Sequence, residues 1–177
     1  MNRRPVFILL FLFVAPLAFA FWLYYGSSWR PTLRTNHGTL IEPVVALPMF
    51  AAGKWSLLVV GRGESGCEVG CRNALIYARQ TWLSLGKLIP RVQRVLLAGA
   101  GCCDTGYLQR EHQGLSTVNT TSNSAALATL DAIPQPHGQT IFIVDPLGNL
   151  MMRYDVRQDP KGLREDLKKL LELSHIG

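Results

Sequence analysis

Cys67 and Cys71, with three residues between them, stand where the apolar run 57–60 gives way to a polar, Gly-rich turn. A CxxxC pair is poorly explained as core filling. If Cys71 lies in the helix that follows, both sulfurs fall on one helical face, able to close a disulfide or to hold one soft metal ion. The unpaired N–H groups and positive end of a helix N-terminus are expected to favour thiolate there. Glu68 opposes that effect, and Arg62 and Arg72 offset Glu68. A two-residue gap is the usual redox arrangement, in which one sulfur attacks and the other resolves. Three intervening residues still permit a disulfide, but they also make a chelate open to a third ligand. Two thiolates favour Cu(I), and an added imidazole permits Cu(II). A static disulfide across this short loop would staple almost nothing.

His137 is the third-ligand candidate, in the polar loop 133–138 just before an apolar run. The bland alternative is a solvated loop histidine. His37, His112 and His175 lie in a juxtamembrane stretch, an unpatterned polar segment and the C-terminus. Cys102 and Cys103 are adjacent, a geometry that seldom bridges. Their simpler reading is as small buried hydrophobes in a tight turn; the other is as secondary thiols for metal or redox transfer. Asp145 opens an Asp-Pro-x-Gly-Asn turn, where local hydrogen bonding accounts for it. No Ser-His-Asp set, paired glycosidase carboxylates or HExxH motif is present.

The elements that must position these side chains follow from apolar periodicity. Residues 54–60 and 91–98 predict two strands, with a helix carried by Ala74, Leu75, Tyr77, Ala78, Trp82, Leu83 and Leu85 between them. Segment 38–50 is a loose lead-in with one short strand, 99–106 a Gly-rich loop, 107–115 a weak segment, and 116–124 polar and turn-like. A short helix is expected over 125–132. Strands 140–144 and 150–154 flank the Asp145 turn as a hairpin. Asp159-Pro160 caps a terminal helix whose Leu163, Leu167, Leu170 and Leu171 share one side. This order predicts an α/β fold, a mixed central sheet covered by helices on both faces.

Arg3 and Arg4 precede a stretch, 5–25, without a charge and ending in aromatic residues, a membrane anchor by length and composition. Cleavage after Ala18-Phe19-Ala20 is the alternative. The expected organisation is a cytoplasmic N-terminus (1–4), the anchor (5–25), a linker (26–37) and a folded domain (38–177) outside the cytoplasm, where thiol pairs oxidise readily. The chain has 177 residues, 18 basic against 12 acidic, for a net charge of +6. With no long basic block it implies no nucleic acid, and Gly61-Arg62-Gly63 is too short for a dinucleotide fingerprint. No small-molecule substrate is indicated.

Taken together, Asn36-His37-Gly38, Gly53-Lys54-Trp55, Cys67-Glu68-Val69-Gly70-Cys71, the run 91–97 and the run 141–150 resemble the Sco/SenC type of membrane-anchored, thioredoxin-like protein. They are most similar to the small bacterial thioredoxin-like transmembrane proteins of cytochrome c oxidase assembly. The resemblance covers roughly 36–173. It implies a single-pass protein of the bacterial inner membrane with a periplasmic domain. It implies copper held by Cys67, Cys71 and His137, and the copper centre of oxidase subunit II or its assembly factors as partner. His137 stands eight residues before Asp145, the spacing of the Sco histidine. The loop 67–71 lacks the usual proline, the histidine is flanked by Pro136 and Gly138, and the 102–103 pair lies outside the Sco pattern. Either copper transfer or disulfide reduction by Cys67 and Cys71 fits the resemblance. The alternatives are a non-catalytic assembly scaffold with a degenerate site and a general periplasmic thiol-disulfide oxidoreductase.

Overall fold

The computed structural model describes residues 3–26, 35–61, 68–99, 102–134 and 139–176. Contacts divide the chain into two compact units, Met1–Thr35 and Asn36–Gly177. The first carries helix α1 (Arg4–Gly26), 23 residues long and apolar enough to cross a membrane. None of its residues is buried. At 1.5 Å per residue it reaches roughly 35 Å, sufficient for a bilayer core. It is consistent with a single membrane anchor.

The second unit is built on six strands in the order β1-β6-β5-β2-β3-β4. They are β1 (Thr39–Ala46), β2 (Trp55–Gly61), β3 (Val92–Ala98), β4 (Leu115–Asn119), β5 (Thr140–Val144) and β6 (Asn149–Asp155). Strands β2, β3 and β4 run parallel, whereas β5 is antiparallel to β2, β6 to β5 and β1 to β6. All seven residues of β2 are buried, as expected of a central strand covered on both faces.

One face packs Leu57, Val59, Leu96, Ile141 and Ile143 against Ala74, Leu75 and Ala78 of α2 (Val69–Leu83) and Leu163, Leu167 and Leu171 of α5 (Pro160–Leu173). The buried positions of α2, Cys71, Ala74, Leu75, Ala78 and Thr81, recur at the spacing of one helical face. The opposite face packs Leu58, Val60, Leu97, Phe142 and Leu150 against Ala126 and Leu130 of α4 (Ser124–Asp131) and against Leu47 and Phe50. Each fully buried leucine or phenylalanine contributes roughly 1.5–3 kcal/mol. The expected mixed sheet with helices on both faces is the observed one.

Local chemistry sets the turns. Asp159 caps α5 by accepting from Lys161 N at 3.1 Å and Gly162 N at 2.9 Å. Asp145 Oδ1 accepts from Leu147 N at 2.9 Å and Asn149 N at 2.7 Å, closing the hairpin. Buried Asp166 on α5 accepts from His37 N at 2.7 Å, from Gly38 N at 3.0 Å and from the Tyr154 hydroxyl, so the lead-in to β1 is clipped to the last helix. His37 adds contacts to Asp159 (2.9 Å) and Glu165 (3.1 Å). Outer strand β1 is interrupted: its pairing with β6 shifts between Leu40 and Val45, and Pro43 lies in the gap.

Two segments differ from expectation. Leu115, the end of the weak segment, and residues 116–119, expected to be turn-like, form β4, paired in register with β3 from Arg94↔Leu115 to Ala98↔Asn119. An outer strand with half of its surface in solvent can be polar and still pair through its backbone. The supposed loop and weak segment contain α3 (Thr105–Glu111), started by Asp104, whose side chain accepts from Gly106 N at 2.9 Å.

Candidate thiol site

Gly61 and Ala98, the last residues of β2 and β3, face each other in the parallel register. Strands β2 and β3 therefore end side by side. One leads to Cys71 in the first turn of α2, the other to Cys102 and Cys103 before α3. Contact between the cysteine groups is thus a product of sheet topology, the switch-point logic of open α/β sheets.

Cys71 and Cys102 are free thiols, 2% and 0% exposed, in one buried cluster and close enough to act on each other electrostatically. Cys103 is disulfide-bonded. Its side of the loop reaches an open cavity of about 240 Å³ lined by Leu96, Ala98, Cys103, Leu108, Thr117 and Asn119. The Cys102 sulfur occupies space left by a missing side chain: a Cβ on Gly61 would stand 2.6 Å from it.

The expected lowering of the Cys71 pKa is not found. Burial pushes the thiol up to about 12, with Cys102, Glu68 and the hydrogen bond to Cys102 acting in the same direction. Being in the first turn of a helix does not compensate for removal from water. Cys102 is also raised, by burial and by Glu68, while its contact with Cys71 partly opposes the rise. Arg72, expected to offset Glu68, instead lies with its guanidinium carbon 5.0 Å from the centre of the Tyr107 ring, tying α2 to α3.

Cys67 and His137 lie outside the described residues. The register nevertheless fixes where the chain resumes after the histidine loop. Ile141 pairs with Val59, so β5 begins at the end of the sheet where β2 finishes. Of the other histidines, His37 is held by Asp159 and Glu165. His112 is buried, with Nε2 3.1 Å from the Tyr107 hydroxyl and a pKa lowered by burial and by Arg94. Among the described residues no group of three or more His, Cys, Asp or Glu side chains could hold a metal ion. The two nearby soft sulfurs of Cys71 and Cys102 are the described donors that suit Cu(I).

Residues 55–174 match the family described as transmembrane-like, thioredoxin-like, C-terminal domain. No curated protein matches the chain in sequence. Among solved structures, copper-bound ScoI of Arabidopsis thaliana is similar at 16% identity and a TM-score of 0.54, over 70% of this chain and 88% of that one. Yeast Sco1 with copper bound gives 16% identity and a TM-score of 0.52, over 70% and 82%. Copper-bound ScoI of Bradyrhizobium japonicum gives 18% identity and a TM-score of 0.50, over 67% and 86%. At such identities the likeness is one of fold. With the family match spanning more than half of the sequence, the chain belongs to the transmembrane-like, thioredoxin-like family and has the mixed α/β thioredoxin-like fold.

Proposed function

We propose that the protein is a membrane-anchored thiol–disulfide exchange factor acting outside the cytoplasm, in the assembly of a membrane oxidase. The observation that carries the reading is a disulfide-bonded Cys103 in the same loop as Cys102, which is itself a free thiol against the free thiol of Cys71. Disulfide and dithiol thus coexist at one end of the sheet, the arrangement that exchange chemistry requires. Cys67, the more N-terminal of the CxxxC pair, attacks a partner disulfide, and Cys71 resolves the mixed disulfide.

The oxidase setting, a bacterial inner membrane with a periplasmic domain, and the cysteines of oxidase subunit II or its assembly factors as target rest on the Sco/SenC resemblance. The test is reduction of an oxidised peptide carrying the subunit II copper-site cysteines by the full chain in detergent, with dithiothreitol as terminal reductant. Wild type reduces the peptide, and Cys67→Ser and Cys71→Ser do not. Equal rates for all three, with oxidase maturation unchanged in cells carrying the serine variants, point to a scaffold with a degenerate site. Equal reduction of unrelated protein disulfides points to a general oxidoreductase.

Copper transfer is the second reading, favoured by the start of β5 at the sheet end where β2 finishes. In that reading Cys67 and Cys71 hold Cu(I) as cargo and His137 completes the ligand set. The copper-bound Sco structures share this fold. His137→Ala then lowers Cu(I) retention and leaves peptide reduction intact.

A further inference from the structure

We propose that Cys71 and Cys102 are a second redox couple, a buried dithiol that closes into a disulfide bridging α2 to the loop after β3. The proposal rests on the thiol-exchange reading for its chemistry and adds a partner to Cys71 that the CxxxC motif does not contain. The two thiols are free, buried in one core cluster and delivered after different strands to one end of the sheet. A Cβ at Gly61 would collide with the Cys102 sulfur, so the end of β2 is shaped around that atom. Core filling explains a single small residue here; it does not explain two thiols in contact beside a third cysteine already in a disulfide.

The structure also holds the oxidant. The Cys71 thiol loses its proton and attacks the Cys103 sulfur; the disulfide breaks, and its other sulfur leaves as a thiolate and takes up a proton. Cys102 then attacks the Cys71 sulfur, losing its own proton, and Cys103 departs as a thiol. Two protons and two electrons pass from Cys71 and Cys102 to the old disulfide. Exchange within the chain needs no outside oxidant. Burial keeps Cys71 out of reach of oxidants in bulk solvent, so the neighbouring disulfide is the favoured route. The Cys103 disulfide, beside its open cavity, is then the outer station of a relay and the Cys71–Cys102 pair the inner one.

The test is disulfide mapping of the full chain in detergent across a series of dithiothreitol redox buffers, quenched in acid and alkylated with iodoacetamide. Cleavage after Glu68 and after arginines separates Cys67 from Cys71 and leaves Cys102 and Cys103 together on peptide 95–110. Wild type is expected to show peptide 69–72 linked to 95–110 over part of the series. Cys102→Ser and Cys102→Ala are expected to lose that link while Cys103 remains bridged. Peptide 69–72 alkylated or bridged only to Cys67 in every wild-type sample overturns the proposal, as does a link that survives undiminished in both Cys102 variants. Fragmentation of the linked wild-type peptide between residues 102 and 103 assigns the bridge to Cys102 or to Cys103, and a bridge to Cys103 alone overturns the proposal even if the variants fold poorly. Peptide reduction without the link removes this inference and leaves the proposed function standing. The link without peptide reduction does the reverse.

Discussion

The Cys102 sulfur lies 2.6 Å from the point a Gly61 side-chain carbon would occupy, so the last residue of β2 and the first cysteine after β3 share one space. Gly61→Ala must displace that sulfur or the strand end, an overpacking cost of about 1–3 kcal/mol. A fall of several degrees in thermal midpoint, followed by circular dichroism of the chain in detergent, is expected. Combining Gly61→Ala with Cys102→Ala should cost less than the sum of the two, because the second change makes room for the first. Strict additivity would show that the two sites do not compete.

The buried thiol of Cys71 makes the domain sensitive to alkali. Its pKa rises from an ordinary 9.0 to about 12 on folding, chiefly through burial. Stability from holding it neutral is complete below pH 9 and is lost as the unfolded chain ionises between 9 and about 12. At pH 10 the loss attributable to this group is about 1.4 kcal/mol. Urea unfolding of wild type and Cys71→Ala at pH 7 and pH 10 should show a smaller decline in the variant. Parallel declines would mean that the thiol does not ionise differently on folding.

The clip at Asp166 predicts a graded series. This carboxylate accepts from two backbone N–H groups, His37 and Gly38, and from the Tyr154 hydroxyl, whose own pKa is raised by burial and by Asp166. Asp166→Ala leaves buried donors without an acceptor and should cost about 2–4 kcal/mol; Tyr154→Phe removes one donor and should cost about 1 kcal/mol. Urea unfolding ranks them. Equal costs would place the stabilisation in the Tyr154 hydroxyl alone.

Asp145 is a turn residue, not an acid–base group. Its carboxylate is occupied by Leu147 N, Asn149 N and Asn149 Nδ2, the last at 2.8 Å. Asp145→Ala should destabilise the hairpin by about 1–3 kcal/mol and leave the rate of peptide reduction, per folded molecule, unchanged. A selective loss of rate at normal stability would reassign it to the chemistry.

Elements whose apolar pattern matches burial were legible in the sequence. The 140–144 run is β5, the Asp159-Pro160 signal starts α5, and the run before the cysteines is β2. Outer strand β4 was not, because Leu-Ser-Thr-Val-Asn carries little apolar periodicity: only Leu115 and Val118 pack against the core, and the rest of the strand is held by its backbone pairing. Nor was α3, a seven-residue helix whose signal is one aspartate cap. At the candidate site, spacing made Cys71 a candidate thiol. Its contact with Cys102 was not legible, since that follows from the register of Gly61 opposite Ala98, residues far apart in the chain. The thiolate expected at a helix start was misjudged for a related reason: local position says nothing of how completely neighbouring elements exclude water from the sulfur.

The broken pairing of β1 bears on how copies of this chain live together. Proline at 43 offers no N–H, and the ladder to β6 skips from Leu40 to Val45, so the outermost strand presents only short, mismatched stretches of backbone. Proteins tethered to a bilayer meet sideways far more often than freely diffusing ones. A frayed border of this kind gives such encounters nothing continuous to zip onto along β1, which leaves β4 at the opposite edge as the unbroken strand a neighbour could meet.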